Sequence, residues 1–317
     1  MKRLPVYFIF LVLLAAGCSK KTQDGTSENQ VKPGMYDSDI LIDGIKRTFR
    51  YYIPTSYNSG LQPRLTFVLH GMTQTGPDIM GSVFDLIGPE ADTLNSIIIT
   101  PTALYGHWND RMGGVFPSTD TIDDVKFLTT LIGYFVARFN VDPDGIYFMG
   151  FSNGGMMTYR MACEIPDRIN AIAPFISMMG TAAADLTRDS APVPVFITNG
   201  TVDPIMKWDG GIVGTSTVPV LGVLLSNVDN VAYWVNRNHA DQVPDTIYIP
   251  DYCRGDSCTV VSYQYSGENE VIFNKVINGG HFTPKLSAIP VVPTYNCDYE
   301  SVVEAWNFLH RHIPASP

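Results

Sequence analysis

Directly after the apolar run Ile146–Met149 the chain reads Gly150-Phe151-Ser152-Asn153-Gly154-Gly155, and a helix-like stretch follows it. A G-x-S-x-G segment between a strand and a helix makes a sharp turn that holds the serine strained, with its hydroxyl projecting. The glycines two residues to either side leave room for tight packing. The first amides of the following helix point where an oxyanion would develop. The chemistry implied is attack by the Ser152 hydroxyl on an acyl carbon. A serine and glycines that merely start a helix are the bland alternative, and the strand–turn–helix context argues against it.

A serine hydroxyl is a weak nucleophile that needs a base, itself oriented by a carboxylate. In parallel-sheet hydrolases these partners follow in the order Ser, Asp, His. After the run Val193–Thr198 comes Asn199-Gly200-Thr201-Val202-Asp203-Pro204, and after Val271–Ile277 comes Asn278-Gly279-Gly280-His281-Phe282. Asp203 and His281 thus occupy loops at strand ends in the required order. Taken singly, Asp203 could be a turn aspartate before proline and His281 a surface loop histidine. The other histidines compete less well. His310 and His312 fall in the terminal helix and its tail, His239 ends a helix, and His107 lies in a loop that could line a pocket. His70 follows the run Leu65–Leu69 in the loop that supplies a second oxyanion donor. The Met72 and Asn153 backbone N–H groups are therefore assigned to the hole, and His70 to holding the loop. No CxxC or HxxxH spacing accompanies the cysteines, which makes a zinc site a poor alternative; no cofactor is expected.

These residues need a scaffold that brings strand ends together. The runs Leu65–Leu69, Ile97–Thr100, Ile146–Met149, Ala171–Ile176 and Val193–Thr198 are short, continuously apolar and bounded by Gly, Pro or polar residues, as strands buried on both faces are. Asp123–Phe139 reads as a helix, with Val125, Leu128, Leu131, Ile132, Phe135 and Phe139 at helical spacing. Further helices are read after Ser152, at Asn227–Asn238 and at Asp298–Arg311. Two β segments, Ile40–Ile42 and Lys46–Ile53, flank the hairpin signal Asp43-Gly44. Strands alternating with helices predict an α/β class fold, a mostly parallel central sheet with helices on both faces. Its ligands sit beyond the carboxyl ends of the strands.

The 317 residues are 45% hydrophobic and 16% charged, enough to build one large domain. Acidic residues outnumber basic ones, 31 to 21, and no Lys/Arg-rich run appears, so nucleic-acid binding is not expected. The N-terminal apolar run Pro5–Ala16 after Lys2-Arg3 is too short to span a membrane and reads as a secretory signal over residues 1–17. Its end, Leu14-Ala15-Ala16-Gly17-Cys18, resembles a lipobox that would acylate Cys18, with an ordinary signal cut near Gly17 as the alternative. Residues 18–36 read as a flexible tether and 37–317 as the catalytic domain. A lipid anchor is the expected membrane contact, in an envelope, secreted or periplasmic location. An oxidising compartment permits disulfides, and Cys253 and Cys258, bracketing Arg254-Gly255-Asp256-Ser257, could close a small loop. Cys163 and Cys297 would then be buried thiols or a second bridge.

Several ordered motifs together resemble a known group. Leu69-His70-Gly71, Trp108-Asn109-Asp110, the GFSNGGMM of 150–157 with Arg160-Met161-Ala162-Cys163-Glu164, the NGTVDP of 199–204 and the GGH of 279–281 resemble the family of polyhydroxybutyrate depolymerases and feruloyl or acetylxylan esterases. The likeness runs from about Asp43 to the C-terminal helix. It implies an α/β-hydrolase fold, no metal, Ser152, Asp203 and His281 as triad, and Met72 and Asn153 as oxyanion donors. The chain departs from the family pattern after His281, where Phe282-Thr283-Pro284 stands in place of the family's tryptophan. It departs again near Trp234, where Asn238-His239-Ala240 replaces Asn-Gly-Cys.

The resemblance implies an exported serine esterase acting on a small or polysaccharide-linked ester, with feruloyl or acetyl esters of plant polysaccharide foremost. A generic short-chain or hydroxyalkanoate esterase is the alternative, as is a serine peptidase of the same fold. Residues expected at the substrate pocket are His70, Trp108, Trp208 and Phe282.

Overall fold

The computed structural model describes residues 31–111, 121–185, 191–213, 222–253, 255–283 and 296–313. The signal segment, Cys18 and the tether through residue 30 lie outside the described residues. The first strand, β1, takes up Gly34–Ile42, so residues 34–36, expected in a tether, belong to a strand.

β1 turns at Asp43-Gly44 into β2 (Ile45–Ile53), and the two pair antiparallel from Gly34↔Ile53 to Ile42↔Ile45. Asp43 and Gly44 both have positive φ (51° and 79°), the conformation a tight two-residue hairpin turn demands. β3 (Arg64–Leu69), β4 (Ser96–Pro101), β5 (Ile146–Phe151), β6 (Ala171–Phe175) and β7 (Val195–Gly200) follow the apolar runs closely. With β10 (Asp245–Tyr248), β11 (Thr259–Tyr265) and β12 (Val271–Ile277) they form one ten-stranded sheet, ordered β1-β2-β4-β3-β5-β6-β7-β12-β11-β10. The strands from β4 through β12 in that order are parallel, and antiparallel strands finish both edges. β8 (Gly211–Val213) and β9 (Gly222–Leu224) pair separately.

The longer helices are α1 (Gly76–Leu94), α2 (Asp124–Phe139), α3 (Asn153–Glu164), α4 (Asn227–Arg237) and α5 (Ser301–Arg311). α1 is absent from the periodicity reading. Its Pro89, interior to the helix, interrupts the pattern. Yet Ile79, Val83, Ile87 and Ala91 bury a stripe at four-residue spacing, and a capping box between Thr75 and Asp78 starts the helix. α1 and α5 pack on one side of the sheet, around Trp306, Phe308 and Leu309. α2 buries Phe127, Leu128, Leu131, Ile132, Phe135 and Phe139, while Val125 stays half-exposed. Burial of such apolar surface stabilises the domain by about 25 cal/mol per Å².

At the amino end of the sheet, His310 lies 3.2 Å from both Ser96 Oγ and Thr66 Oγ1, all buried. Burial pushes the His310 imidazole down to about 3. This serine–histidine pair sits at the start of β4, with no solvent access, and serves the packing of α5.

The structure corrects the disulfide expectation. Cys253 bonds Cys297, and Cys258 keeps its thiol, buried beside Val260 and Val276. Two carboxylates explain the choice. Asp298 accepts the backbone N–H groups of Tyr252 and Cys253, each at 2.7 Å, and Asp256 accepts those of Cys258 and Cys297. They lash the segment around Cys297 onto the Cys253 loop, while β11 draws Cys258 into the interior. Cys163 likewise keeps a buried thiol, on α3.

Candidate active site

Ser152 lies between β5 and α3 with φ 53° and ψ −119°, a strained conformation at the elbow. The flanking glycines are needed for contact reasons. A Cβ on Gly150 would run into the Gly154 carbonyl, and one on Gly154 into the carbonyls of Leu69 and His70. The start of α3 is thereby pressed against the end of β3. A Cβ on Gly71 would fall 3.6 Å from that of Ser152, which puts the loop after β3 alongside the serine.

Asp203 and His281 come from loops after β7 and β12, neighbouring strands that run parallel. Gly200 lets the loops touch, since a Cβ there would strike the Gly279 carbonyl. Val202 N–H donates to the Gly279 carbonyl and Thr201 N–H to that of Val276, both at 2.9 Å. The Thr201 hydroxyl accepts the Asn278 N–H at 2.9 Å. So held, His281 Nδ1 lies 2.7 Å from Asp203 Oδ2 and its Nε2 3.1 Å from Ser152 Oγ. The other Asp203 oxygen accepts the N–H groups of Ile205 and Met206, each at 2.8 Å. A carboxylate is acceptor-only, so Nδ1 carries the ring proton and the Nε2 lone pair faces the serine hydroxyl. Asp203 and His281 are both buried, and Ser152 is half-exposed.

The backbone N–H groups of Met72 and Asn153 have no protein acceptor among the described residues. The loop bearing Met72 is fixed from below. His70 Nδ1 donates to the Gly71 carbonyl at 2.7 Å, and its Nε2 accepts the Ala103 N–H at 3.0 Å. Burial lowers the His70 pKa and so keeps the ring neutral, as this bonding requires. Trp108 Nε1 donates to the His70 carbonyl at 3.0 Å.

His70 and Trp108 are completely buried, so the expectation that they line the substrate pocket is corrected. Their rings support the loop that bears Met72 from inside. Trp208 is half-exposed and faces Phe273 and Lys275 in a separate groove, not the serine. Phe282, next to His281, is buried.

The side chain of Asn153 carries a role that its residue type does not announce. It accepts the Trp108 N–H at 2.8 Å and donates to the Trp108 carbonyl at 3.1 Å and to Asp110 Oδ2 at 2.6 Å. The strap Trp108-Asn109-Asp110 is anchored further by Asp124, which accepts the Asn109 N–H at 2.8 Å and pairs with buried Arg47 at 2.6 Å. Arg160 donates to the Asn109 carbonyl. Burial raises the Asp124 pKa, against the pull of Arg47. The signal available in the sequence was the Trp-Asn-Asp motif itself, whose role depends on contacts between distant segments. A second unsingled feature is an apolar cluster of Met156, Met178, Met206, Val213 and Leu224, with Met72 packed against it. It joins the loop that bears Met72, helix α3 and the loop that bears Asp203.

No family model matches the chain. It is 33% identical over 185 residues to NocK of Nocardia uniformis subsp. tsuyamanensis, a protein named as an esterase, covering 58% of this chain and 53% of that one. It is 25% identical over 175 residues to feruloyl esterase D of Neurospora crassa, covering 52% of this chain and 56% of that one. It is 28% identical over 172 residues to the bifunctional acetylxylan esterase/xylanase XynS20E of Neocallimastix patriciarum, covering 52% of this chain and 22% of that one. The chain thus spans little more than half the length of these relatives at most. Among solved structures, the acetyl xylan esterase from Aspergillus awamori aligns with a TM-score of 0.55 at 13% identity, over 86% of this chain and 98% of that one. A mutant feruloyl esterase module from Clostridium thermocellum, complexed with sinapinate, aligns with a TM-score of 0.52 at 11% identity, over 79% and 83%. With the observed strand order, these likenesses show the α/β-hydrolase fold.

Proposed function

We propose that this chain is a serine esterase that hydrolyses carboxylic esters through Ser152, His281 and Asp203. The reading is carried by one observation, the His281 ring spanning from Asp203 at 2.7 Å to the elbow serine at 3.1 Å. His281 Nε2 takes the proton as Ser152 Oγ attacks the ester carbonyl carbon. The carbonyl oxygen becomes an oxyanion and receives hydrogen bonds from the Met72 and Asn153 N–H groups. The tetrahedral centre collapses, Nε2 returns the proton to the departing alkoxide, and the acyl group remains on Ser152. Water, deprotonated by Nε2, then attacks the acyl-enzyme, and collapse releases the acid and restores the serine. Asp203 stays ionised throughout and stabilises the imidazolium.

The proposed substrates are feruloyl or acetyl esters on plant polysaccharide. Support comes from relatives whose names specify feruloyl and acetylxylan esters. The enzyme is further proposed to be exported and lipid-anchored at Cys18. The Cys253–Cys297 disulfide supports export, since such bonds persist in oxidising compartments. The test is hydrolysis of p-nitrophenyl acetate and methyl ferulate, with Ser152→Ala as control. Loss of both activities by several powers of ten is expected. Equal turnover by the variant would overturn the nucleophile. Acetate turnover without ferulate turnover would reassign the acyl preference.

A further inference from the structure

A second concavity lies between α4 and the outer strands β11 and β12. Its volume is about 330 Å³, and neither Ser152, Met72 nor His281 lines it. Val231 and Val235 of α4 contribute an aliphatic wall. Tyr263, Phe273 and Lys275 of the sheet, with Trp208 from the loop that carries Asp203, contribute an aromatic one. Tyr263 and Phe273 are directly opposite in the β11–β12 ladder, their rings stacked at 6.2 Å, and Trp208 lies 5.8 Å from Phe273. The rings thus form a row across the strands.

Lys275 gives the groove its chemistry. Its Nζ sits 5.0 Å from the Trp208 ring centroid, and it has no carboxylate partner among the described residues. This is so in a chain carrying 31 acidic residues and a net charge of −10. A cation left without a counter-charge beside an aromatic row calls for an anionic ligand with a flat apolar body. Besides Lys275, the polar side chains of the lining are Gln242, Tyr263 and Tyr265, and Val228, Val231 and Val235 supply its aliphatic part. A planar ring can pack against apolar and aromatic surfaces of this kind, and the volume lies at the low end of small-molecule sites, about 300–1,000 Å³.

We propose that this groove is a second ligand site, separate from the serine, for a small planar aromatic carboxylate. The ring packs between the valines and the aromatic row, and the carboxylate meets Lys275. The assignment stands on the groove alone and not on the esterase reading.

Calorimetric titration of 4-hydroxycinnamate into the full chain, Lys275→Gln and Ala232→Trp tests it. Ala232 lies on the exposed side of α4 in the same groove, so its replacement fills the space without entering the core. One equivalent should bind, about tenfold or more weaker in Lys275→Gln, and not at all in Ala232→Trp. Binding unchanged in both groove variants would place the acid elsewhere and overturn the proposal. So would no binding at millimolar acid, or tighter binding of xylotriose than of the acid.

Discussion

Asn153→Ala isolates the strap that supports the elbow. The change keeps the backbone N–H assigned to the oxyanion and deletes only the amide, with its bonds to the Trp108 N–H, the Trp108 carbonyl and Asp110. Asn153, Trp108 and Asp110 are all buried, so the groups left behind lose partners in a low-dielectric interior. Each such group costs about 1–3 kcal/mol, and a water entering the vacated volume restores part of that. The fold should therefore lose about 2–4 kcal/mol, a fall of about 3–7 °C in Tm. Without the strap the first turn of α3 is held on one side only, and the Asn153 N–H drifts from the position it needs. Complete removal of an oxyanion donor costs about a hundred- to a thousandfold in kcat. Partial misplacement should cost about ten- to a hundredfold, with KM little changed because the loss falls on the transition state. The assay is kcat on p-nitrophenyl acetate well below the variant's Tm. A variant that melts lower yet keeps wild-type kcat would refute the reasoning, since the strap would then support the fold without positioning the hole.

His310 predicts an acid limb in stability. Its folded pKa is about 3 against an ordinary value near 6.5, so between these pH values the unfolded chain binds the proton and the folded chain does not. The contribution is full above about pH 6.5 and falls by about 1.4 kcal/mol per pH unit as the solution is acidified toward pH 3. Urea unfolding of His310→Phe between pH 4 and 7 should show a flatter pH dependence than the parent. The disulfide predicts a different pattern among cysteines. Cys253→Ser should lose about 2–4 kcal/mol by freeing a loop of sequence separation 44, with urea melts as the measure. The buried Cys258 thiol should resist alkylation until the chain unfolds.

The parallel centre of the fold was legible because strands buried on both faces must be continuously apolar. The Leu65–Leu69 and Ile146–Met149 runs matched observed strands to within two residues. That Ser152, Asp203 and His281 lie together was legible because each follows such a run, in loops that glycines let close on one another. What escaped notice depended on partners distant in sequence. α1 hid behind Pro89, although its buried stripe repeats every four residues. β10 escaped because every one of its residues is exposed, which leaves no alternation to see. The cysteine pairing escaped because Asp256 and Asp298 decide it from opposite ends of the paired segment. His70 and Trp108 look like pocket residues by type, and only the tertiary contacts show them turned inward under the loop that bears Met72. For His70 the backbone-holding role read from its position is the one its hydrogen bonds describe.

The most direct test of the central claim is to treat the protein with a fluorophosphonate and map the modified peptide by mass spectrometry, with His281→Ala in parallel. A single adduct on Ser152, formed far more slowly in His281→Ala, is the result predicted for a hydroxyl activated by its neighbouring imidazole. An adduct on any other residue, or labelling of Ser152 at the same rate without His281, would contradict it.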